Sequence, residues 1–179
     1  MTRRHEFAES VPVLTTPRLS MRGPRLQDLQ SSSVMWGDPA VTRYIGGRPF
    51  TREECWSRLL RYVGHWALMG FGYWVVEEKA TGRFVGEVGF SDFRRDIDPS
   101  LDGMPESGWV LAPWSYGRGY ATEALEAALA WGAGQFGTRD NVCIIDPDNL
   151  ASIRVAEKCG FERWVETRYK DEPIVVFRR

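Results

Sequence analysis

The chain has 179 residues, of which 43% are hydrophobic and 26% charged, and this length and balance predict a single globular domain. Its 23 basic and 24 acidic residues give a net charge of −1. That balance argues against a polybasic nucleic-acid binder and against binding to an anionic membrane surface.

The three cysteines are not spaced as in a metal site or a disulfide framework. Cys55, Cys143 and Cys159 contain no C-x-x-C pair, which argues against zinc and favours a reducing compartment. The N-terminus lacks the apolar stretch of a signal peptide, and no window approaches the roughly 20 apolar residues of a membrane span. We therefore expect a soluble, cytoplasmic, metal-free protein, with residues 1–14 as a flexible leader and 15–179 as the domain.

The first half of the chain is predicted to form a strand, two helices and a hairpin. The second helix begins at Thr51, where Thr51 and Glu54 have the spacing of a capping box, and it continues to Gly70. Turn residues separate two β-rich runs, which predicts an antiparallel hairpin. The predicted segments are a strand at 19–22, helices at 26–35 and 51–70, and strands at 71–77 and 84–90.

The second half is predicted to alternate strands and helices after a long loop at 91–106. The run 142–145 is fully apolar and is predicted to be a central strand, and Gly160 is a predicted helix C-cap. The predicted segments are strands at 108–111, 142–145, 161–169 and 174–177 and helices at 119–136 and 150–159. Together the elements predict an α+β protein with a mixed sheet.

The segment after the predicted strand 108–111 carries the clearest chemical signal. A strand runs through a turn containing Gly117 and Gly119 directly into a helix. The free N–H groups of the first helical turn and the helix dipole form an anion site suited to a pyrophosphate, and Arg118 can add charge-assisted contacts. A plain turn and helix start is the alternative. A dinucleotide fold is disfavoured because Thr122 replaces the third glycine and the preceding strands form a meander.

A second motif runs from Asp146 to Phe161. Asn149 is a predicted helix N-cap, since its side chain can accept a hydrogen bond from a free N–H group. Ser152, three residues later, lies on the same helix face as Asn149.

Both motifs resemble the GCN5-related N-acetyltransferase (GNAT) superfamily. Tyr116–Ala121 matches its acetyl-CoA motif except at Tyr116, where the family has Gln or Arg, and Gly-Arg-Gly-Tyr-Ala-Thr-Glu-Ala is typical of the ribosomal-protein N-terminal (Rim-type) branch. Thr16-Pro17-Arg18-Leu19 and the segment 81–86 also look like this branch. The resemblance implies a mostly antiparallel sheet of about seven strands, splayed in the middle and flanked by four helices. The cofactor-binding positions that it implies are Trp109, Val110, Leu111, Tyr116, Gly117, Arg118, Gly119, Tyr120, Ala121, Thr122, Asn149 and Ser152.

The resemblance further implies direct transfer of an acetyl group from acetyl-CoA, a co-substrate, to a primary amine. It places a strand bulge at Val110 and Leu111, whose backbone N–H polarises the acetyl carbonyl. We expect Ser152 to act as thiol partner or proton donor and Asn149 to orient the pantetheine arm. Ser152 as an ordinary helix residue is the alternative. Glu106 matches a frequent proton acceptor of the branch, and a solvated glutamate at the end of a loop is the alternative.

The acceptor is expected to be an amine on a small molecule or a protein N-terminus. Five acids precede the predicted strand 108–111, and they would favour a cationic amine if they border the cleft; a solvated loop is the alternative. They are Asp92, Asp96, Asp98, Asp102 and Glu106. A homodimer is compatible with the resemblance. The rival functions are an acetyl-CoA-binding regulatory or interaction module without catalysis and, more distantly, a dinucleotide-binding oxidoreductase.

Overall fold

A computed structural model describes residues 10–137 and 140–179. In the described residues the chain forms eight strands and five α-helices, with one 3₁₀ turn at Pro113–Ser115. The strands are β1 Leu14–Thr15, β2 Leu19–Arg22, β3 Tyr73–Glu78, β4 Phe84–Ser91, β5 Glu106–Leu111, β6 Val142–Ile145, β7 Glu162–Tyr169 and β8 Glu172–Arg178. The helices are α1 Asp28–Trp36, α2 Pro39–Thr42, α3 Arg52–Met69, α4 Tyr120–Gln135 and α5 Leu150–Lys158.

All eight strands belong to one sheet, in the order β1-β2-β3-β4-β5-β6-β8-β7. Every neighbouring pair is antiparallel except β5 and β6, which are parallel. The parallel pair is the natural result of the crossover through α4, because a parallel connection requires a long return segment. The sheet is therefore mixed and mostly antiparallel.

Local capping signals fix the ends of the long helices. The Thr51 side chain accepts a hydrogen bond from the Glu54 N–H, the Glu54 carboxylate accepts one from the Thr51 N–H, and Gly70 ends α3 in the left-handed conformation. Asn149 caps α5 by accepting from the Ser152 N–H. These contacts confirm the predicted capping box and the predicted N-cap, both of which depend only on residues a few positions apart.

The two faces of the sheet carry different cores. Alternation along β4 directs Val88 and Phe90 to the face covered by α4 and α5, where the largest apolar cluster lies. Glu87 points to the opposite face and accepts hydrogen bonds from α1 and α3. One face is thus a conventional apolar core, and the other contains buried polar groups.

The predicted α+β GNAT architecture is confirmed. The two-residue strand β1 and the single-turn helix α2 account for the elements beyond the expected seven strands and four helices, and both are too short for a periodic pattern. Of the predicted leader, residues 1–9 lie outside the described residues; Val11 is buried, and the Pro12 carbonyl accepts a hydrogen bond from Trp74. Among the described helices, none has the length and apolarity needed to cross a bilayer.

Candidate active site

Strands β5 and β6 are joined at one end and diverge toward the other. Their only residue pair in the described sheet is Glu106 with Val142, reinforced by a hydrogen bond from the Val142 N–H to the Pro105 carbonyl. Since both strands run in the same direction, the open end of the gap lies at Leu111 and Ile145. The glycine turn follows β5 at that end, and α5 follows β6 there.

The gap exposes one backbone edge of β5. The Ala112 N–H donates to the Val85 carbonyl at 2.8 Å, so the even-numbered residues of β5 face β4 and the N–H and C=O groups of Trp109 and Leu111 face the β6 side. Because β6 has diverged there, no strand of the described sheet pairs with these two residues. The expected bulge at Val110 and Leu111 is absent, because β5 pairs with β4 without a register shift over residues 106–111.

The glycine turn leaves the first turn of α4 uncapped by any described side chain. Gly117 and Gly119 have φ of 73° and 77°, in the left-handed region that glycine tolerates best. Gly119 is the N-cap of α4 and supplies no side-chain hydrogen bond, so its first N–H groups remain available to an anion. A Cβ placed on Gly117 meets no atom within 4 Å, so the turn is open to a ligand. This arrangement fits a pyrophosphate.

A network that the sequence did not predict holds this turn in place. Arg18 donates from Nη1 to the Arg118 carbonyl at 2.8 Å and from Nε to Glu123 at 2.7 Å. The Thr16 hydroxyl donates to the other Glu123 oxygen at 2.6 Å. Burial alone would favour a protonated carboxyl, but the hydrogen bonds from Thr16 and Arg18 lower the pKa of Glu123. The turn between β1 and β2 therefore braces the start of α4 over more than a hundred residues of sequence.

The other predicted cofactor-binding positions in residues 116–122 differ in whether their side chains have a partner within the protein. The Tyr120 hydroxyl donates to Glu78 at 2.6 Å, so its side chain has a partner within the protein. Tyr116 is 51% exposed beside the glycine turn. Ala121 and Thr122 follow in the first turn of α4, where their backbone positions matter more than their side chains.

The start of α5 lies at the same open end of the gap. Asn149 Oδ1 accepts from the Ser152 N–H at 3.1 Å, and the Ser152 residue is half-buried. α5 contains no tyrosine between residues 150 and 158. Ser152 is therefore the hydroxyl that this helix offers near the gap.

Glu106 lies at the opposite, joined end of the gap and is buried. Arg95 donates to its two carboxylate oxygens from Nε and Nη2, both at 2.7 Å. The structure thus brings Glu106 to the gap but separates it from Ser152 along β5. It also replaces the alternative of a solvated glutamate with a bidentate ion pair.

The loop before β5 neutralises much of its own negative charge. Arg94 lies within 3.1 Å of Asp92 and 3.7 Å of Asp102, and Arg95 pairs with Glu106. Three of the five acids that were expected to favour a cationic acceptor therefore have arginine partners from the same loop.

Beside Glu106, tyrosines and a buried glutamate occupy the polar face of the sheet. Tyr73 Oη lies directly over Gly108, 1.8 Å from where a Cβ would stand, so only glycine at position 108 leaves room for that hydroxyl. Burial, followed by the charge of Glu106, raises the pKa of Tyr73. Tyr73 also stacks on Tyr62 at 4.5 Å between ring centroids, and the Tyr62 hydroxyl donates to Glu87. The sequence offered no signal for this arrangement beyond a glycine inside a strand.

A strand gap that opens onto an uncapped, glycine-bordered helix N-terminus can hold an anionic group at the helix end and an extended ligand along the strand edge, an arrangement that suits a transferase with a phosphate-bearing co-substrate. Among the described residues, no group of three or more His, Cys, Asp or Glu side chains is arranged to hold a metal ion.

Comparison with known proteins identifies the family. Residues 18–162 match the acetyltransferase (GNAT) domain model. The chain is 31% identical over 170 residues to YkkB of Bacillus subtilis (strain 168), covering 93% of this chain and 94% of YkkB. It superposes with a TM-score of 0.82 and 29% identity on a GNAT-family acetyltransferase from Bordetella pertussis, covering 94% and 99% of the two chains. The chain belongs to the GNAT acetyltransferase family.

The Rim-type likeness is limited to the fold. RimL, a ribosomal L7/L12 alpha-N-protein acetyltransferase solved in complex with coenzyme A, superposes with a TM-score of 0.75 at 15% identity, covering 94% of this chain and 97% of RimL.

Proposed function

We propose that this protein transfers the acetyl group of acetyl-CoA directly to a primary amine, within a ternary complex and without a covalent enzyme intermediate. The observation that carries the proposal is the gap between β5 and β6, which pair through a single residue pair and open onto the glycine turn. A gap of this kind accepts an extended arm along the backbone edge of β5.

The binding residues act mainly through backbone groups. The N–H groups of the first turn of α4 and the Arg118 side chain hold the pyrophosphate. The backbone edge of Trp109 and Leu111 pairs with the pantetheine arm, and an N–H of this edge donates to the thioester carbonyl. Such a donor stabilises the charge that develops on the carbonyl oxygen. Acetyl-CoA supplies the activated acetyl group.

Proton transfer is assigned to Glu106 and Ser152. Attack requires a neutral amine, so Glu106 accepts the proton of the incoming ammonium through water. One of the two hydrogen bonds from Arg95 to the Glu106 carboxylate must break or lengthen for that step. At the other end of the gap, Ser152 hydrogen-bonds the departing thiolate sulfur, donating its proton to the sulfur while the hydroxyl regains the proton that the attacking nitrogen loses as the amide forms. Asn149 holds the start of α5 and orients the pantetheine arm.

The acceptor is a small-molecule amine or a protein N-terminus. The Rim-type motifs are compatible with the N-terminal alternative, since RimL is an alpha-N-protein acetyltransferase, and both kinds of acceptor remain part of the proposal. The three cysteines are free and buried, in keeping with a cytoplasmic, reducing location. The proposal includes a homodimer, and sedimentation analysis would establish the oligomeric state.

The test separates binding from turnover. Calorimetry should show one acetyl-CoA site per chain. With a panel of amines and N-terminal peptides, free CoA should then be released in step with acetylated product. Failure to bind acetyl-CoA contradicts the proposal. Tight binding without turnover across the panel would instead identify an acetyl-CoA-binding module without catalysis.

A further inference from the structure

Two arginines on α3 approach the polar face of the sheet next to the candidate reaction site. The Arg58 guanidinium lies 3.9 Å from the ring centroid of Trp36. Arg61, one helical turn later, lies 4.9 Å from the ring centroid of Phe93. Phe93 also contacts Arg95, at 4.8 Å, so Arg61 and Arg95 share one aromatic partner. We refer to Arg58 and Arg61 as the arginine pair.

The arginine pair lacks the carboxylate partners that Arg22 and Arg95 have on this face. Arg22 pairs with Asp28 and Glu77, and Arg95 pairs with Glu106. Within the part of the chain that the structure describes, neither Arg58 nor Arg61 forms an ion pair. The Nε of Arg58 is, in addition, buried without any hydrogen-bond partner.

The nearest carboxylates are already occupied. Glu87 accepts from the Ser32 hydroxyl at 2.7 Å through one oxygen. Its other oxygen accepts from the Trp36 indole at 2.9 Å and the Tyr62 hydroxyl at 3.0 Å. Both oxygens of Glu106 are held by Arg95. Neither Glu87 nor Glu106 thus has an oxygen free of hydrogen bonds to offer the arginine pair.

Arg58 is partly buried and Arg61 is exposed; for Arg58 the lack of an ion-pair partner is unfavourable, because its charge loses water without forming an ion pair. Burial, followed by the neighbouring charge of Arg58, lowers the pKa of Arg61. For Arg58, by contrast, burial is outweighed by Tyr62 and the charge of Glu87, which raise its pKa. Guanidinium groups bind carboxylates with paired, charge-assisted hydrogen bonds. Within the described residues no carboxylate pairs with these two guanidinium groups, so the anionic group of a ligand is a partner that fits them.

The arginine pair also lies close to the candidate reaction site. Tyr73 interacts electrostatically with Arg58, Arg95 and Glu106, and its hydroxyl stands over Gly108 in β5. A ligand whose anionic end contacts the arginine pair can therefore extend past Tyr73 toward β5, where the proposed acetyl transfer takes place.

We propose that the arginine pair binds a carboxylate of the acceptor, so that the acceptor is an amine that also carries a carboxylate, as an amino acid does. This assignment rests on the proposed function and narrows its substrate class. It predicts that purely cationic amines, such as polyamines, are poor acceptors, the opposite of what the acidic loop suggested.

The first experiment compares acceptors that differ only in the carboxylate. L-amino acids and their amides are assayed in matched pairs, and kcat/KM is expressed per neutral amine because the amide lowers the amine pKa. At least one amino acid should exceed its amide by about tenfold or more, in keeping with the loss of a charged hydrogen bond. Arg58→Gln should reduce that preference to near unity while leaving the KM for acetyl-CoA unchanged.

The control variants separate a binding role from a folding role. Arg52→Gln removes an arginine at the first position of the same helix, remote from the arginine pair, and should leave the preference intact. If Arg58→Gln lowers the melting temperature, Arg61→Gln and Arg58→Lys serve as further variants. Arg58→Lys keeps the charge but not the paired donors, so it should retain part of the preference.

A second experiment does not depend on turnover. N-acetyl-L-amino acids and N-acetyl-L-amino acid amides, which have no titrating amine, are titrated into the CoA-bound protein by calorimetry. The acids should bind more tightly than the amides in wild type but not in Arg58→Gln. Equal binding of both series, or a preference that survives in Arg58→Gln, overturns the assignment. If no amine is acetylated but the acids bind through Arg58, the proposed function fails and the carboxylate site stands.

Discussion

The proposed cofactor end of the gap between β5 and β6 is formed mainly by backbone groups, and the proposed acceptor face is formed by side chains. The proposed acetyl-CoA site uses backbone groups of two short segments, residues 116–122 and the start of α5, together with the edge of β5. The acceptor face uses side chains from α1, α3, β3, β4, β5 and the loop before β5. Backbone sites tolerate changes in side chain as long as the turn geometry survives, whereas a site made of side chains changes its ligand when single residues change. This difference explains why the cofactor is readable from local motifs and the acceptor is not.

The strongest way to break the cofactor end is Gly119→Val. A β-branched residue at φ of 77° is strained by roughly 1–2 kcal/mol, and its side chain occupies the space of the pyrophosphate. We expect acetyl-CoA affinity to fall by about 100-fold or more, a loss of roughly 3 kcal/mol, as measured by calorimetry.

Gly134→Ala is the matched control, because Gly134 lies in α4 and a Cβ there meets no atom within 4 Å. That variant should bind acetyl-CoA normally and melt at the same temperature or slightly higher. Normal acetyl-CoA binding by Gly119→Val would place the pyrophosphate elsewhere.

On the acceptor face, the largest expected effect comes from Glu106→Gln. The change leaves Arg95 without its counterion and should destabilise the fold by about 3 kcal/mol. It should also reduce kcat by about 100-fold, a typical contribution of a general base. Acetyl-CoA affinity should be nearly unchanged, and chemical denaturation, calorimetry and steady-state kinetics separate the three effects.

Arg95→Met distinguishes the two roles of Glu106, because it breaks the same ion pair but keeps the carboxylate. A kcat for Arg95→Met as low as that of Glu106→Gln would assign Glu106 a structural role only.

Ser152→Ala should have a smaller effect, confined to the chemical step. Loss of the hydroxyl near the thiolate is expected to lower kcat by about tenfold with little change in the KM for acetyl-CoA. Ser57→Ala, an exposed position on α3, serves as the control. An unchanged kcat would remove Ser152 from the proton-transfer assignment and leave it as an ordinary helix residue.

The smallest effect concerns stability at high pH. Burial raises the pKa of Tyr73 above its ordinary value of 10, so the folded protein keeps a proton that the unfolded chain releases above that pH. The contribution of this bound proton to the free energy of unfolding is fully present below pH 10. It is lost as the pH rises toward the pKa of Tyr73 in the folded protein, at up to about 1.4 kcal/mol per pH unit. Tyr73→Phe should make the free energy of unfolding decline less steeply in this range. An identical slope for both proteins in denaturant titrations would contradict this account.

The parts of the molecule that the sequence predicted share one property, which is that their signals are local. The capping box at Thr51, the N-cap at Asn149 and the glycine turn each depend on residues within a few positions of one another. Arg18 and Glu123, by contrast, are separated by 105 positions. The turn that carries Arg18 reaches α4 only because β1, β2 and β3 pair in the sheet. The sequence shows Glu87 only as an acidic residue within a strand, because its three hydrogen-bond donors lie far from it along the chain.

Glu106 illustrates the boundary between the two cases. Its place at the start of β5 was predictable from the motif that follows it, but its burial and its pairing with Arg95 depend on how the loop folds back. Likewise, the family motif located the strand that borders the gap, whereas the bulge it implied is replaced by divergence from β6. Which residues form a strand can be predicted from the local sequence. The distance between neighbouring strands depends on how side chains pack on both faces of the sheet.

The single residue pair between β5 and β6 also governs how the two parts of the sheet are coupled. Strands β1–β5 and strands β6–β8 are hydrogen-bonded among themselves and meet at that one pair, so in the proposed complex an extended ligand arm lying along β5 would act as a removable ninth strand. Its arrival would add backbone pairing to a sheet edge that already exists, much as a peptide does in β-augmentation. The proposed co-substrate would therefore serve for one catalytic cycle as part of the fold, and its departure would expose the edge of β5 again.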